Sequence, residues 1–281
     1  MARFPIGIIL ESFQKPVAES LTLAASMGVQ GIQVYATRGE LSPSALSAEK
    51  RRTFLQMVKD HGLIISALCG DLGHGFGSAD RNPALIEESK RILDLAKDLE
   101  TDIVTTHIGV VPQSQTHPRY AVMQDACGEL SRYADSVAAH FAIETGPETA
   151  QTLKGFLDGL HSRGVAVNLD PANFVMVTGD DPVAAVHTLK DYIVHTHAKD
   201  GIKRQDSDPE LIYGLRPGDP LVTNDAAFAE VPLGEGSVPF APYIEALWEV
   251  GYRGFLTIER EVGENPVGDV EKAVAFLEAL I

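Results

Sequence analysis

Runs of apolar and β-branched residues alternate with amphipathic segments along the whole chain, and this rhythm constrains the fold more than any other feature. Each run has the length of a strand. It is followed by a turn and by a segment whose apolar residues recur every three or four positions, as on one helix face. Eight such repeats favour a closed parallel (β/α)8 TIM barrel over an open doubly wound sheet. The predicted strands are 6–10, 32–35, 63–68, 103–107, 141–144, 165–170, 192–197 and 255–259.

No segment has the composition of an interdomain linker, so residues 1–281 are expected to form one domain. A dinucleotide-binding fold is disfavoured because no GxGxxG motif follows the first strand. Residues 201–233 break the rhythm and are rich in Gly, Pro and charge, which predicts a long active-site loop that helps to select the substrate. The predicted helices are one that carries Val17, Leu21 and Ala24 on one face, and 43–61, 83–99, 118–139, 149–163, 182–190, 240–251 and 267–280.

The composition narrows the possible partners and compartments. A formal net charge of −16 disfavours nucleic acid and anionic membranes as partners. No apolar run has the length of a membrane span, and the first residues do not have the pattern of a signal peptide. Two cysteines, Cys69 and Cys127, provide no disulfide framework and are typical of a reducing cytoplasm. We therefore expect a cytoplasmic protein that binds a small molecule.

The seventh predicted strand carries His195, His197 and Lys199 at alternate positions. Side chains two residues apart on a strand point to the same face, so two imidazoles and an ammonium group are expected near its carboxyl end. A strand histidine is more often a structural residue than a ligand. The other strand ends therefore decide how this one is interpreted.

Four consecutive strands end in residues that bind cations. In a TIM barrel the active-site groups come from the carboxyl ends of the strands. Each of these residues also has an ordinary explanation, as a helix cap, a turn residue or a solvated charge. Four such ends after buried strands instead predict one divalent metal site, because clustered buried carboxylates without a cation are energetically costly. The predicted ligands are Glu144, Asp170, His197 and Glu259.

The segments IETGPET, NLDPANF, VHTHAKD and LGEGSVPFAPYIEALWEVGYRGFLTIERE resemble those of the xylose isomerase-like TIM barrel superfamily, which includes sugar phosphate isomerases and epimerases and apurinic endonuclease-type barrels. The resemblance spans roughly residues 4–280. It implies a role in carbohydrate metabolism and one divalent ion on the same four ligands, with Mn²⁺ preferred over Mg²⁺, Co²⁺ or Zn²⁺. It also implies that Glu144 and Glu259 are acid/base groups on opposite faces of a bound sugar. A homodimer is expected by analogy only.

The predicted chemistry is isomerisation or epimerisation of a sugar or sugar derivative through a metal-stabilised enediolate. Four further residues are expected to contact the substrate. His107 ends the fourth strand, Glu148 and Lys199 follow ligand-bearing strands, and Asn173 lies three residues after Asp170. Epimerases of this superfamily usually have Asp-x-x-His at the last of these positions, whereas this chain has Asn, which cannot titrate.

Three alternatives remain open. The first is a metal-dependent dehydratase or lyase that acts on a keto-sugar or an inosose. The second is an endonuclease for abasic DNA, which the acidic charge and Asn173 disfavour. The third is a non-catalytic sugar-binding barrel, which an intact set of four ligands disfavours. Metal content and hydrogen exchange on candidate sugars would distinguish them.

Overall fold

A computed structural model describes residues 3–213 and 227–281. Its centre is a closed parallel barrel in which each strand is hydrogen-bonded to two neighbours. The first strand closes the barrel by pairing with the last, with Ile6 opposite Leu256 and Ile8 opposite Ile258. The barrel strands are β1 Ile6–Ile9, β2 Gly31–Tyr35, β3 Ile64–Cys69, β4 Ile103–Thr106, β5 His140–Glu144, β6 Val165–Leu169, β7 Ile193–Ala198 and β10 Leu256–Ile258. The predicted (β/α)8 barrel is therefore confirmed.

Helices pack around the outside of the barrel and bury an apolar layer between themselves and the strands. None of the described helices has both the length and the hydropathy that a membrane crossing requires. The long helices are Val17–Ser26, Ala48–Asp60, Asn82–Asp98, Pro118–Ser136, Ala150–Asp158, Pro182–Leu189, Phe240–Glu249 and Pro266–Glu278.

Two helices differ by five residues from their predicted bounds, which is more than any other described helix does. The helix expected from residue 43 begins at Ala48, because Ser47 caps it by accepting a hydrogen bond from the Lys50 N–H. The helix expected to reach residue 163 ends at Asp158, and Gly159 is its C-cap. The spacing of apolar residues does not reveal such capping residues, so these two helices were predicted to be too long.

The expected loop 201–233 contains regular structure. Strand β8 (Asp200–Lys203) pairs antiparallel with β9 (Phe228–Val231), and together they form a two-stranded ribbon. A short helix, Pro209–Ile212, follows β8. Residues 214–226 of the predicted loop lie outside the described residues. The interpretation of this segment as entirely loop is therefore corrected at its two ends.

Asp200 organises the base of the ribbon. Its two carboxylate oxygens accept hydrogen bonds from four backbone N–H groups, those of Gly201, Gly234, Gly236 and Val238, at 2.8–3.1 Å. The GEG sequence at 234–236 is thus the turn that brings the chain from β9 back to the helix at Phe240. A Cβ atom at Gly236 would collide with the Asp200 carboxylate.

Candidate metal centre

The carboxyl ends of β5, β6, β7 and β10 bring the four predicted ligands together. Glu144, Asp170, His197 and Glu259 are all buried, and each offers a donor atom within 4.8 Å of the others. His197 Nδ1 lies 3.1 Å from Glu259 Oε2, 3.5 Å from Asp170 Oδ2 and 3.6 Å from Glu144 Oε1. Three carboxylate oxygens therefore converge around one imidazole nitrogen.

This donor set fits a divalent cation. Asp170 Oδ2 and Glu259 Oε2 are buried and accept no hydrogen bond of good geometry, although Glu259 Oε2 has ion-pair contacts with His197 and Lys199. Buried carboxylate oxygens of this kind are energetically costly unless positive charge neutralises them. Three oxygen donors and one imidazole nitrogen suit Mn²⁺, Mg²⁺, Co²⁺ or Zn²⁺. The cluster thus has the composition of a metal site.

The electrostatics of the cluster also favour a cation at its centre. Burial acts to lower the pKa of His197, but Glu259 and Glu144 outweigh it and hold that pKa well above its ordinary value. Burial acts to raise the pKa of both glutamates. The charges of His107 and His197 beside Glu144, and of Lys199 and His197 beside Glu259, hold these pKa values below their ordinary range. Without a metal ion, a protonated His197 therefore supplies the positive charge that the carboxylates require.

A polar layer inside the barrel orients the His197 ring. Its Nε2 atom lies 3.2 Å from Gln33 Oε1, while Nδ1 faces the carboxylates. Gln33 is fully buried, and its amide nitrogen donates to Thr105 Oγ1 at 3.1 Å. Sequence reasoning missed Gln33, although a lone amide in the buried strand GIQVY was an available signal.

His195 does not join the cluster. Its Nδ1 pairs with Asn168 Oδ1 at 2.9 Å and its Nε2 with Thr257 Oγ1 at 3.0 Å. Burial lowers its pKa to about 3, so the ring is neutral. The two imidazoles do lie together, with ring centroids 5.7 Å apart, but both ring nitrogens of His195 are bonded to Asn168 and Thr257 and are not available to the cluster.

Asn173 donates hydrogen bonds to two of the clustered carboxylates, those of Asp170 and Glu144. Its backbone N–H donates to Asp170 Oδ1 at 2.9 Å, which caps the helical segment that begins at Pro171. Its side-chain amide donates to Glu144 Oε1 and to the Thr145 carbonyl, both at 3.2 Å. Gly146, with a φ of 137°, leaves room for this side chain, because a Cβ at that position would strike it.

Of the other three residues predicted to contact the substrate, two line the cavity and one does not. His107 and Lys199 line the cavity above the cluster. His107 Nε2 is 3.4 Å from Glu144 Oε1, and Lys199 Nζ is 3.2 Å from Glu259 Oε2. Glu148 lies outside the lining residues and is buried, with its carboxylate accepting the Val111 N–H at 3.1 Å. Burial raises the pKa of Glu148 to about 8.

The cavity has a volume of about 760 Å³, within the range of small-molecule sites. Its floor includes Glu144, His197 and Glu259, and the β8–β9 ribbon contributes to one side. Sequence reasoning named none of its apolar wall residues, because they come from the helical segment after Asp170 and from the 201–233 segment, where no strand rhythm guides a prediction. Those wall residues are Met176, Val177, Ile212, Tyr213, Phe228 and Ala229.

Comparison with known families agrees with the fold. The model of the xylose isomerase-like TIM barrel family matches residues 21–280. A crystal structure of a xylose isomerase domain protein from Planctomyces limnophilus superposes with a TM-score of 0.81. It is 24% identical and covers 99% of this chain and 97% of its own.

Two curated relatives carry names of reactions. An inosose dehydratase of Lacticaseibacillus casei is 27% identical over 171 residues, 57% of this chain. The chain spans about half of that dehydratase, 53% of its length. An Escherichia coli (strain K12) protein named "Putative L-ribulose-5-phosphate 3-epimerase" is 25% identical over 301 aligned residues, 99% of this chain and 97% of the relative.

Proposed function

The chain belongs to the xylose isomerase-like TIM barrel family, and from this premise we propose that it is a divalent-metal-dependent sugar isomerase or epimerase. The observation that carries the proposal is the pair Glu144 and Glu259. Both carboxylates face one cavity from strands separated by β6 and β7, and each lies beside a basic side chain, His107 or Lys199. The substrate is a sugar or sugar derivative with a carbonyl beside a hydroxyl-bearing carbon.

Glu144, Asp170, His197 and Glu259 would hold the ion. A divalent cation supplies Lewis-acid stabilisation of the negative charge that forms on substrate oxygen when the neighbouring C–H loses its proton. We propose Mn²⁺ first, since an oxygen-rich donor set with one imidazole suits it. Gln33 and Asn173 keep His197 and Glu144 in position.

The proton transfer itself is assigned to the two glutamates. One carboxylate accepts the proton of the C–H bond while the electron pair moves into the carbonyl. The other glutamate takes a proton from the basic group beside it, His107 next to Glu144 or Lys199 next to Glu259. It passes that proton to the opposite face of the same carbon, which gives epimerisation. Return of the proton to the former carbonyl carbon gives aldose–ketose isomerisation instead.

A dehydratase is the second candidate, and His107 favours it. After the same C–H deprotonation, a β-elimination breaks the C–O bond of the next carbon, and the departing hydroxide needs a proton to leave as water. His107 lies at the cavity 3.4 Å from Glu144, where an imidazolium could supply that proton. The name of the Lacticaseibacillus casei relative supports this alternative.

An NMR screen in D₂O tests the proposal. The metal-free protein is incubated with Mn²⁺ or with chelator and a panel containing ketoses, aldoses, an inosose and a 3-keto-sugar. The proposal predicts Mn²⁺-dependent deuterium incorporation at one carbon next to the carbonyl of at least one compound. An olefinic or deoxy product with release of water would select the dehydratase. No exchange on any compound at full metal occupancy would contradict both.

A further inference from the structure

One part of the cavity lining is apolar, and another part is densely charged. Six residues form this apolar wall, and Tyr213 continues it to the reactive end, because its ring centroid lies 6.0 Å from that of His107. Burial raises the pKa of the Tyr213 hydroxyl, which therefore stays neutral. The apolar wall consists of Met176, Val177, Ile212, Tyr213, Phe228 and Ala229.

The charged side has a surplus of carboxylates. Lys199 lies against three of them, with Nζ 2.6 Å from Glu261 Oε2, 3.2 Å from Glu259 Oε2 and 3.7 Å from Glu230 Oε2. Among the described residues, the other Lys or Arg in the lining is Arg204. The lining and the cluster together hold six carboxylates, those of Asp71, Glu144, Asp170, Glu230, Glu259 and Glu261. Glu230 is paired with Arg260 at 2.6 Å, and the other five carboxylates exceed the charges of Lys199, Arg204 and a divalent ion.

A phosphate group would be repelled in this field, because its charge at neutral pH is about −1.5 to −2. The one lysine at the reactive end already has three carboxylate partners. The volume of about 760 Å³ also lies in the upper part of the range that encloses drug-sized ligands. Among the residues that the structure describes, none would cover the apolar wall if the ligand were a monosaccharide alone.

We propose that the substrate is an uncharged polyhydroxy carbonyl compound that carries an apolar substituent, with its carbonyl and hydroxyl groups at the carboxylate cluster and the substituent on the apolar wall. This inference rests on the proposed function for the position of the carbonyl and hydroxyl groups, and it adds the substrate class. Sugar phosphates are repelled by the surplus of carboxylates among the described lining residues, and free sugars bind more weakly because they leave the wall uncovered.

Isothermal titration calorimetry of the Mn²⁺-loaded protein tests this substrate class. The probes are methyl and phenyl glycosides of glucose, galactose, mannose and xylose, together with the 6-phosphates of glucose and fructose. For at least one sugar, the phenyl glycoside is expected to bind about tenfold more tightly than the methyl glycoside, since an aromatic ring buries apolar area. Neither phosphate should bind measurably at the same concentrations.

A matched pair of variants tests whether the preference for phenyl over methyl glycosides comes from the apolar wall. Ile212→Ala removes apolar area from the wall and should reduce the ratio of phenyl to methyl affinity about threefold or more. Ile64→Ala removes the same atoms from an exposed position, 55% accessible, at the start of β3, and should leave the ratio unchanged. The inference would be overturned if both variants lowered the phenyl-to-methyl affinity ratio equally, or if no sugar showed a preference for its phenyl glycoside. It would also be overturned if either sugar phosphate bound as tightly as a phenyl glycoside.

Hydrogen exchange separates this inference from the proposed reaction. Mn²⁺-dependent exchange on a free ketose, without any phenyl preference in binding, would leave the proposed function standing and overturn the substrate class. A phenyl preference that Ile212→Ala removes, with no exchange on any carbonyl compound, would support the binding site and contradict the proposed reaction.

Discussion

At His197, two different sets of neighbours contact the two ring nitrogens: Nδ1 faces the carboxylates, and Nε2 lies beside the side-chain amides of Gln33 and Asn168. Gln33→Leu removes the oxygen acceptor 3.2 Å from Nε2, so the ring loses one of the two partners that orient it. Loss of such a partner typically weakens metal binding about 10–100-fold. Calorimetric titration of the metal-free variant with Mn²⁺ measures this loss, and an unchanged affinity would show that Gln33 does not orient the ligand.

Glu144 and Glu259 differ from Asp170 in the role assigned to them. Glu→Gln at either position keeps a carbonyl oxygen for the ion and removes the basic oxygen. Turnover should therefore fall by roughly 10² or more while substrate binding changes little. Metal content is measured in each variant, because loss of the ion would have the same effect. At full occupancy, wild-type exchange of substrate hydrogen with D₂O would show that the substituted residue is not the base.

Glu148 should make the stability of the protein depend on pH. Its pKa is raised to about 8 from 4.5 in the folded state, so the folded chain holds a proton that the unfolded chain releases. The free energy of unfolding therefore falls as pH rises from about 4.5 to 8. Glu148→Gln removes this dependence and should gain on the order of 2–4 kcal/mol relative to wild type between pH 5 and pH 8.

Denaturant unfolding at several pH values measures this difference. The Gln side chain keeps an oxygen acceptor for the Val111 N–H, so the comparison isolates the charge. A difference between the two proteins that is constant from pH 5 to pH 8 would contradict the account of Glu148 as a buried carboxylic acid.

At the scale of elements, the ribbon depends on the turn that Asp200 holds. Gly236→Ala would place a Cβ against the Asp200 carboxylate and should destabilise the protein by about 1–3 kcal/mol. Gly155→Ala is the matched control, because no atom outside its helix lies within 4 Å of the added Cβ. That change should stabilise the protein by about 0.5–1 kcal/mol. Thermal unfolding compares the two, and equal shifts would contradict the role of the turn.

The spacing of apolar residues in the sequence predicts well those strands and helices that have a buried face. β5 and β6 begin and end within one residue of their predicted bounds, because both are buried strands between clear turn signals. The ribbon and the helical segment after Asp170 were missed, because their structure depends on tertiary contacts: the four amides on Asp200 and the cap that Asp170 provides. Neither contact has a local periodic pattern.

At the scale of the whole molecule, barrel geometry made the candidate site predictable. Once eight strands were assigned, the rule that active-site groups lie at their carboxyl ends selected Glu144, Asp170, His197 and Glu259 from the sequence alone. The depth of each side chain was not predictable in this way. His195 and Glu148 both lie near the cluster in sequence, yet their partners hold them away from the cavity.

A metal ion at this site should stabilise the whole barrel, because the four ligands come from four strands. Binding to the folded state alone adds about 2.7 kcal/mol when the free ion is at 100 times its Kd. Asp170→Asn tests this stabilisation by the metal ion. The Asn side-chain oxygen can still cap the segment at Pro171, while the negative charge of the ligand is lost. Asp71→Asn is the control, because Asp71 lines the cavity outside the four-residue cluster.

The most direct measurement is a Mn²⁺ titration of the chelator-treated protein by calorimetry, with thermal unfolding followed in parallel. The account predicts one tightly bound ion per chain and a rise in unfolding temperature in both the wild type and Asp71→Asn. It predicts that Asp170→Asn loses most of the affinity and of the temperature rise. Absence of a stoichiometric site in the wild type, or equal Mn²⁺ binding by Asp170→Asn, would contradict a metal centre at these four residues.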